Sequence, residues 1–237
     1  MLIIAIPKSA STALMSTLSA IHGVPGRQIF FRDAPSPEGF NVLRRYHSDT
    51  REINADLAKQ FADGAEVFKQ HLPPTPNNVA LLHNCSKVIV LREPHAIIAA
   101  YRRARRRFLS VSMPGFDILA DEQAWQRTAR ENGLCADLEQ FIAGWSDASV
   151  ANKLVIWYHE LMADPTATIN AIEQFWGLRP TPGPIQIARQ RYSGRGAWRT
   201  GLFNLVRMLL QQVHLWTPIR AAVRKLRGRQ PETQNIK

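Results

Sequence analysis

Five consecutive apolar residues, Leu2-Ile3-Ile4-Ala5-Ile6, stopped at once by Pro7, constrain this chain more than any other feature. Such a run is too short for a core helix, is rich in β-branched side chains and ends on a turn residue. It therefore marks a strand buried on both faces. The pattern returns at Ala65 to Lys69, Lys87 to Leu91 and Lys153 to Trp157. Helical spacing of apolar residues fills the intervals: Thr12 to Ile21 with Gly23 as its stop, then Ile53 to Ala62, Pro94 to Phe108, Glu122 to Trp145 and Pro165 to Trp176. Short strands alternating with helices predict an α/β fold, with a mostly parallel central sheet flanked by helices.

A chain of 237 residues can bury a core without staples, and 45% hydrophobic against 21% charged residues excludes a disordered or collagen-like polymer. Its two cysteines, Cys85 and Cys135, cannot make a disulfide framework and lack metal-ligand spacing. The net charge of +11 is unevenly placed. Residues 1–188 hold 19 basic and 18 acidic side chains, whereas residues 189–237 hold 11 basic ones and a single acid, Glu232. A surplus so concentrated asks for an anionic partner. No helix-turn-helix, zinc-finger or RNA-binding signature accompanies it, which argues against nucleic acid. No apolar run reaches the roughly 20 residues that span a bilayer, so the expectation is a cytoplasmic protein, with peripheral contact at a membrane surface through the basic C-terminal segment.

The turn after the first strand carries Lys8, Ser9, Ala10, Ser11 and Thr12. Backbone N–H groups and the dipole of the following helix point into such a turn, and the lysine and hydroxyls add to its affinity for anions. A helix capped by a Ser/Thr cluster beside a surface lysine fits the same residues. The loop is not of the Walker type, because it lacks Gly-x-x-x-x-Gly-Lys. Lys69 and His71 share a face at the carboxyl end of the strand ending near Phe68, and Arg92 stands at the carboxyl end of the next. Ligands of open α/β sheets bind outside those ends. Arg102 to Arg107, with five arginines in six positions, fits a solvated face or a landing surface for an anionic acceptor.

Together these segments resemble sulfotransferases that use 3′-phosphoadenosine 5′-phosphosulfate (PAPS). Pro7-Lys8-Ser9-Ala10-Ser11-Thr12 is similar to their 5′-phosphosulfate loop, with a P-loop-like position after the first strand. Lys69-Gln70-His71-Leu72-Pro73 is similar to their catalytic segment, and Leu91-Arg92-Glu93-Pro94 to their 3′-phosphate turn. Looser likenesses are Tyr158-His159-Glu160-Leu161 and the stretch from Arg191 through Gly196-Ala197-Trp198-Arg199. The resemblance implies that Lys8, Ser9, Ala10, Ser11 and Thr12 hold the phosphosulfate, that His71 is the general base, and that Lys69 and Lys8 stabilise charge. It also implies that Arg92, Arg191 and Arg199 bind the 3′-phosphate, that Tyr158 lies beside the adenosine, and that no metal is needed. A neutral imidazole suits the base role, since it titrates near neutrality.

Four departures stand out. Ala10 replaces a glycine, which predicts a loop that avoids positive φ there. Ala13 replaces a tryptophan that stacks on adenine, and Ala100 replaces a phosphate-binding serine whose place Tyr101 or Arg102 would take. Tyr192 and Ser193 replace Lys-Gly. The resemblance covers residues 2–205, read as a sulfotransferase domain, and leaves 206–237 as a basic helical extension. The implied reaction is sulfuryl transfer to an acceptor hydroxyl of a small molecule, lipid or glycan. A P-loop-type nucleotide phosphotransferase and a basic membrane or polyanion binder with a degenerate donor site are the alternatives.

Overall fold

Strand β1 (Leu2–Ala5) is buried along its whole length, and so is β4 (Lys87–Leu91), as parallel strands covered on both faces must be. The computed structural model describes residues 1–30, 34–108, 113, 115–117 and 119–187, with residues 105–108 described by backbone alone. In chain order the elements are β1, α1 (Ser11–His22), β2 (Gly26–Arg27), α2 (Leu43–Tyr46), α3 (Ala55–Ala62), β3 (Val67–Gln70), α4 (Pro76–Leu81), β4, α5 (Pro94–Phe108), α6 (Glu122–Glu131), α7 (Leu134–Ser146), β5 (Lys153–Trp157), α8 (Tyr158–Ala163) and α9 (Pro165–Phe175). The sheet has the order β2-β3-β1-β4-β5 with every pairing parallel. Two compact units are present, Met1–Arg103 with Met113–Arg191 and Ala104–Ser112 with Tyr192–Lys237. The sheet belongs to the first; the described part of the second is the end of α5.

Because β1 is central, its carboxyl end lies between those of β3 and β4, where the strand order reverses and ligands of such sheets bind. One face of the sheet packs Ile3, Ala5, Val88 and Val90 against Leu14 and Leu18 of α1 and Ile169 and Ile172 of α9. Helix ends follow their sequence signals. Gly23 closes α1 with φ +66, its N–H returning to the Ser19 carbonyl. Asp164 caps α9 by accepting from the Ala167 N–H at 2.9 Å, with Pro165 in the first turn.

The structure departs from sequence expectation at several places. The third strand starts two residues late, at Val67, where the edge pairing with β2 begins. The stretch expected as one helix from Glu122 to Trp145 breaks at Gly133, whose φ of +87 no helix interior accepts, so α6 and α7 are separate. Pro73 to Pro76 is not all loop: Thr75 accepts from the Asn78 N–H at 3.2 Å and Pro76 opens α4. Finally, β2 and α2 are so short that no periodicity announces them.

Candidate active site

Ala10 shows how the first loop is made. It stands at φ +62 as the N-cap of α1, and Lys8 also has φ +61, so the expectation of a loop without positive φ is overturned. Two left-handed residues, one on each side of Ser9, fold the chain so that it enters α1 directly from β1. Such strain persists only where neighbours over-determine it. Here Ser9 Oγ donates to the Ile6 carbonyl at 2.7 Å, and Arg92 Nη1 donates to the Lys8 carbonyl at 2.6 Å. The Ser9 hydroxyl proton is thus committed to the loop itself, while Ser11 and Thr12 begin the first turn of α1, where N–H groups lack intrahelical acceptors. A left-handed residue before a helix N-terminus forms a concave row of N–H groups suited to an anion.

Arg92, at the end of β4, lies over the Tyr158 ring with its guanidinium carbon 3.9 Å from the centroid. Its Nε is buried without a hydrogen-bond partner among the described residues. Lys8 carries its ammonium 5.3 Å from the centroid of Tyr101, and burial lowers its proton affinity. Tyr101 is wholly buried and its hydroxyl pairs with His47 Nε2; Arg102 Nε donates to the Ala120 carbonyl at 2.9 Å. The hydroxyl and the Nε proposed as substitutes for the missing serine are therefore both engaged.

Lys69 and His71 meet as the sequence places them, with Lys69 Nζ 2.7 Å from His71 Nε2. His71 Nδ1 lies 2.6 Å from the Ala5 carbonyl, which can only accept, so Nδ1 carries the proton and Nε2 accepts from the lysine. Burial first, and the Lys69 ammonium second, hold His71 well below the usual imidazole range. Burial also brings Lys69 down to about 8, against the upward pull of Asp49. His71 is therefore a neutral acceptor of protons at pH 7, beside a lysine that is still mostly charged.

The wall facing His71 was not visible in the sequence. Asp49, buried, accepts from the His71 N–H at 2.9 Å and from Gln28 Nε2 at 2.9 Å. His47 stacks its ring edge-to-face with His71, centroids 4.6 Å apart. This segment is held from α7: Asp137 Oδ2 accepts from the N–H groups of both Val42 and Leu43 at 2.8 Å, fixing α2. Trp145 Nε1 of the same helix donates to the Leu72 carbonyl at 2.8 Å, and Gly144 leaves room for the Pro74 ring, which a Cβ would approach to 2.5 Å. The donor atoms of His47, Asp49 and His71 lie within 4.8 Å of one another. A metal ion shared by the three would sit against the Lys69 ammonium, so the trio is better suited to proton transfer.

Of the residues singled out by sequence, the structure gathers Lys8, Ser9, Ala10, Ser11, Thr12, Lys69, His71, Arg92 and Tyr158 at or next to the carboxyl ends of β1, β3, β4 and β5. Arg191 and Arg199 lie outside the described residues, as does the basic extension. Cys85 and Cys135 are free.

A family model described as the sulfotransferase domain matches residues 1–195. Among solved structures, a mouse sulfotransferase complexed with PAP is similar with a TM-score of 0.50 at 14% identity, over 86% of this chain and 65% of that one. A sulfotransferase from Alicyclobacillus acidocaldarius gives a TM-score of 0.47 at 17% identity, over 97% and 96% of the two chains. Retinol dehydratase in a complex with retinol and PAP gives 0.49 at 13%, over 84% and 69%. This chain thus spans a little under two thirds of the mouse protein, and the likeness is one of fold. A comparison with curated protein sequences gives no match.

Proposed function

As the chain belongs to the sulfotransferase-domain family, we propose that it moves the sulfuryl group of PAPS to an acceptor hydroxyl and releases adenosine 3′,5′-bisphosphate (PAP). The observation that carries this reading is the convergence of a neutral, buried imidazole, the buried Lys69 and the half-buried Lys8 on one anion-binding loop. The residues also fit a doubly phosphorylated nucleotide. The orphaned Arg92 Nε calls for an acceptor, which a 3′-phosphate oxygen supplies, and Tyr158 offers a ring beside it.

In this reading the loop from Lys8 to Thr12 binds the 5′-phosphosulfate through backbone N–H groups, the Ser11 and Thr12 hydroxyls and the Lys8 charge. His71 Nε2 takes the acceptor proton as the acceptor oxygen bonds to sulfur and the bond from sulfur to the bridging phosphate oxygen breaks. Lys69, which leaves Nε2 so that its one lone pair can take the proton, joins Lys8 in neutralising the charge left on that oxygen. Asp49 holds the His71 backbone throughout. Arg191 and Arg199 are assigned to closing over the 3′-phosphate, residues 1–205 to the catalytic domain and 206–237 to the extension.

The acceptor is proposed to be anionic or lipid-linked, met at a membrane surface. What supports this is the 11-to-1 basic excess of residues 189–237, more than one bisphosphate can use. No described helix is long and apolar enough to cross a membrane. A thermal-shift comparison tests the main reading: PAP raises the melting temperature and ATP with Mg²⁺ does not. The opposite ranking would favour a phosphotransferase, and no response to either, with retained binding to anionic vesicles, a polyanion-binding protein.

A further inference from the structure

Sulfuryl transfer through His71 leaves a second imidazole of the same site unused. His47 follows α2 directly, and its backbone N–H donates to the Leu43 carbonyl at 3.1 Å, so the turn that Asp137 pins also sets the ring. Its Nε2 pairs with the Tyr101 hydroxyl. That pairing fixes the tautomer. His47 is the one hydrogen-bond partner of the Tyr101 O–H among the described residues, and a buried phenol that keeps its proton donates it, so His47 Nε2 accepts and Nδ1 carries hydrogen. That Nδ1–H has no partner among the described residues, and His47 is only half-buried, so an incoming group can reach it. His71, by contrast, has both nitrogens engaged, by Ala5 and by Lys69.

The two rings meet edge to face, and one ring nitrogen of each lies within 4.8 Å of the other. We take these to be His47 Nδ1 and His71 Nε2, the nitrogens that face neither Tyr101 nor Ala5. One oxygen atom hydrogen-bonded to both nitrogens at about 2.8 Å spans that gap with a bent angle. We propose that His47 is a second catalytic residue: its Nδ1–H donates to the acceptor oxygen, which gives its own proton to His71 Nε2, so that the two imidazoles aim the oxygen's remaining lone pair at sulfur. A tetrahedral oxygen then has each direction assigned: its substituent, the proton to His71, a lone pair to His47 and a lone pair to the sulfur. The new bond is from oxygen to sulfur, the broken one is from sulfur to the bridging phosphate oxygen, and the proton ends on His71. Selection for an oxygen nucleophile follows from the geometry, since a group that displaces water but offers no lone pair toward His47 leaves that N–H unsatisfied. This inference rests on the sulfuryl-transfer reading.

Two substitutions separate it from a packing role. The amide nitrogen of asparagine reproduces the position of imidazole Nδ1, and that of glutamine reproduces Nε2. With labelled PAPS and water as the probe acceptor, His47→Gln is expected to lower sulfate release about tenfold to a hundredfold. His47→Asn is expected to stay within about tenfold of the unmodified protein, and both variants are expected to keep its PAP-induced thermal shift. A structural role, in which His47 merely holds Tyr101, predicts the reverse order. Glutamine matching the unmodified rate or outperforming asparagine, loss of the PAP response in both variants, or no sulfate release by an unmodified protein that binds PAP would each overturn the proposal. An unmodified protein that shows no PAP response removes the sulfuryl-transfer reading itself, and this inference with it.

Discussion

Lys8 to Thr12 take their geometry from one strand-to-helix turn and a single remote brace, Arg92, whereas Tyr46 to Asp49 take theirs wholly from α7, α5 and the end of β3, all remote in sequence. The first segment needs two hydrogen bonds, Ser9 to Ile6 and Arg92 to Lys8, to hold two left-handed residues. The second is fixed by Asp137, 95 residues from Val42, by Tyr101, 54 residues from His47, and by the His71 N–H, 22 residues from Asp49. On the reading above, the first binds the donor and the second faces the acceptor. The difference teaches that an anion site can be made locally, because helix N-termini are anion sites by construction. A proton-transfer wall has to be assembled by the fold, since it must bring buried titratable groups together and satisfy them.

The sharpest break between the two sides is expected at His71, whose backbone N–H is held by Asp49 of the wall. His71→Ala should lower sulfuryl transfer by about 10²- to 10⁴-fold while the PAP-induced thermal shift stays as in the unmodified protein. Transfer at near the original rate would sink the base assignment. Arg92→Ala should do the converse. Loss of a charge-assisted contact of about 1.5–3 kcal/mol weakens PAP binding roughly tenfold to a hundredfold, read by calorimetric titration. If PAP affinity were unchanged, the orphaned Nε would not be a phosphate ligand.

The sheet and the donor side were legible because their signals are local. Lys87–Leu91 and Lys153–Trp157 were read with their observed bounds, and so was Pro94–Phe108. Lys69 and His71 were placed together by the two-residue period of a strand, which holds even though His71 lies one residue past β3. His47, Asp49 and Tyr101 escaped, since nothing near them in sequence tells that Asp137 will pin α2 or that α5 will turn Tyr101 inward. The one usable signal was composition: Tyr46-His47-Ser48-Asp49 is a dense polar cluster that stays partly or wholly buried. Ala10 was misjudged for a related reason. Local preference disfavours a left-handed alanine, and the tertiary brace from Arg92 overrides it. Gly133 was a visible breaker, but helical spacing on both sides masked it.

Lys69 belongs to the wall but serves the donor, and pH should expose that double role. With its folded value at about 8, its charge is lost above that pH, and transfer should fall from there, toward roughly tenfold per unit. His71 is held well below its usual range, so the rate should stay flat from pH 6.5 up to about 8. The stability contribution runs the other way. Between about 8 and the unfolded value of 10.5 the unfolded chain binds more protons at this lysine than the folded one, so this group makes stability rise with pH. Lys69→Met should therefore abolish the descending limb, slow transfer and raise the melting temperature at pH 7. A rate still at its plateau at pH 10 in the unmodified protein would show that the lysine charge is not used.

Asp137→Ala tests the scaffold behind the wall. Two buried N–H groups lose their acceptor, which should lower stability by about 1–3 kcal/mol in urea unfolding and reduce kcat, with PAP affinity unchanged. Equal losses in PAP affinity would mean that the two sides are one cooperative unit and not two separately held ones.

The smallest effect is expected at the residue that makes the donor loop unusual. Ala10 holds a left-handed conformation that disfavours an L side chain by roughly 1–2 kcal/mol, while glycine adopts it freely but loses more chain entropy on folding, about 0.5–1 kcal/mol. Ala10→Gly should therefore raise stability by no more than about 1.5 kcal/mol, seen as a small rise in melting temperature in the nucleotide-free protein. Because the brace from Arg92 already fixes the loop, PAP affinity should hardly change. A large gain in affinity would show that the loop is strained away from its binding geometry, with alanine limiting the site. A fall in stability would show that the brace, and not the residue, sets the loop's conformation, and the donor side would then depend on tertiary contacts as fully as the wall opposite it.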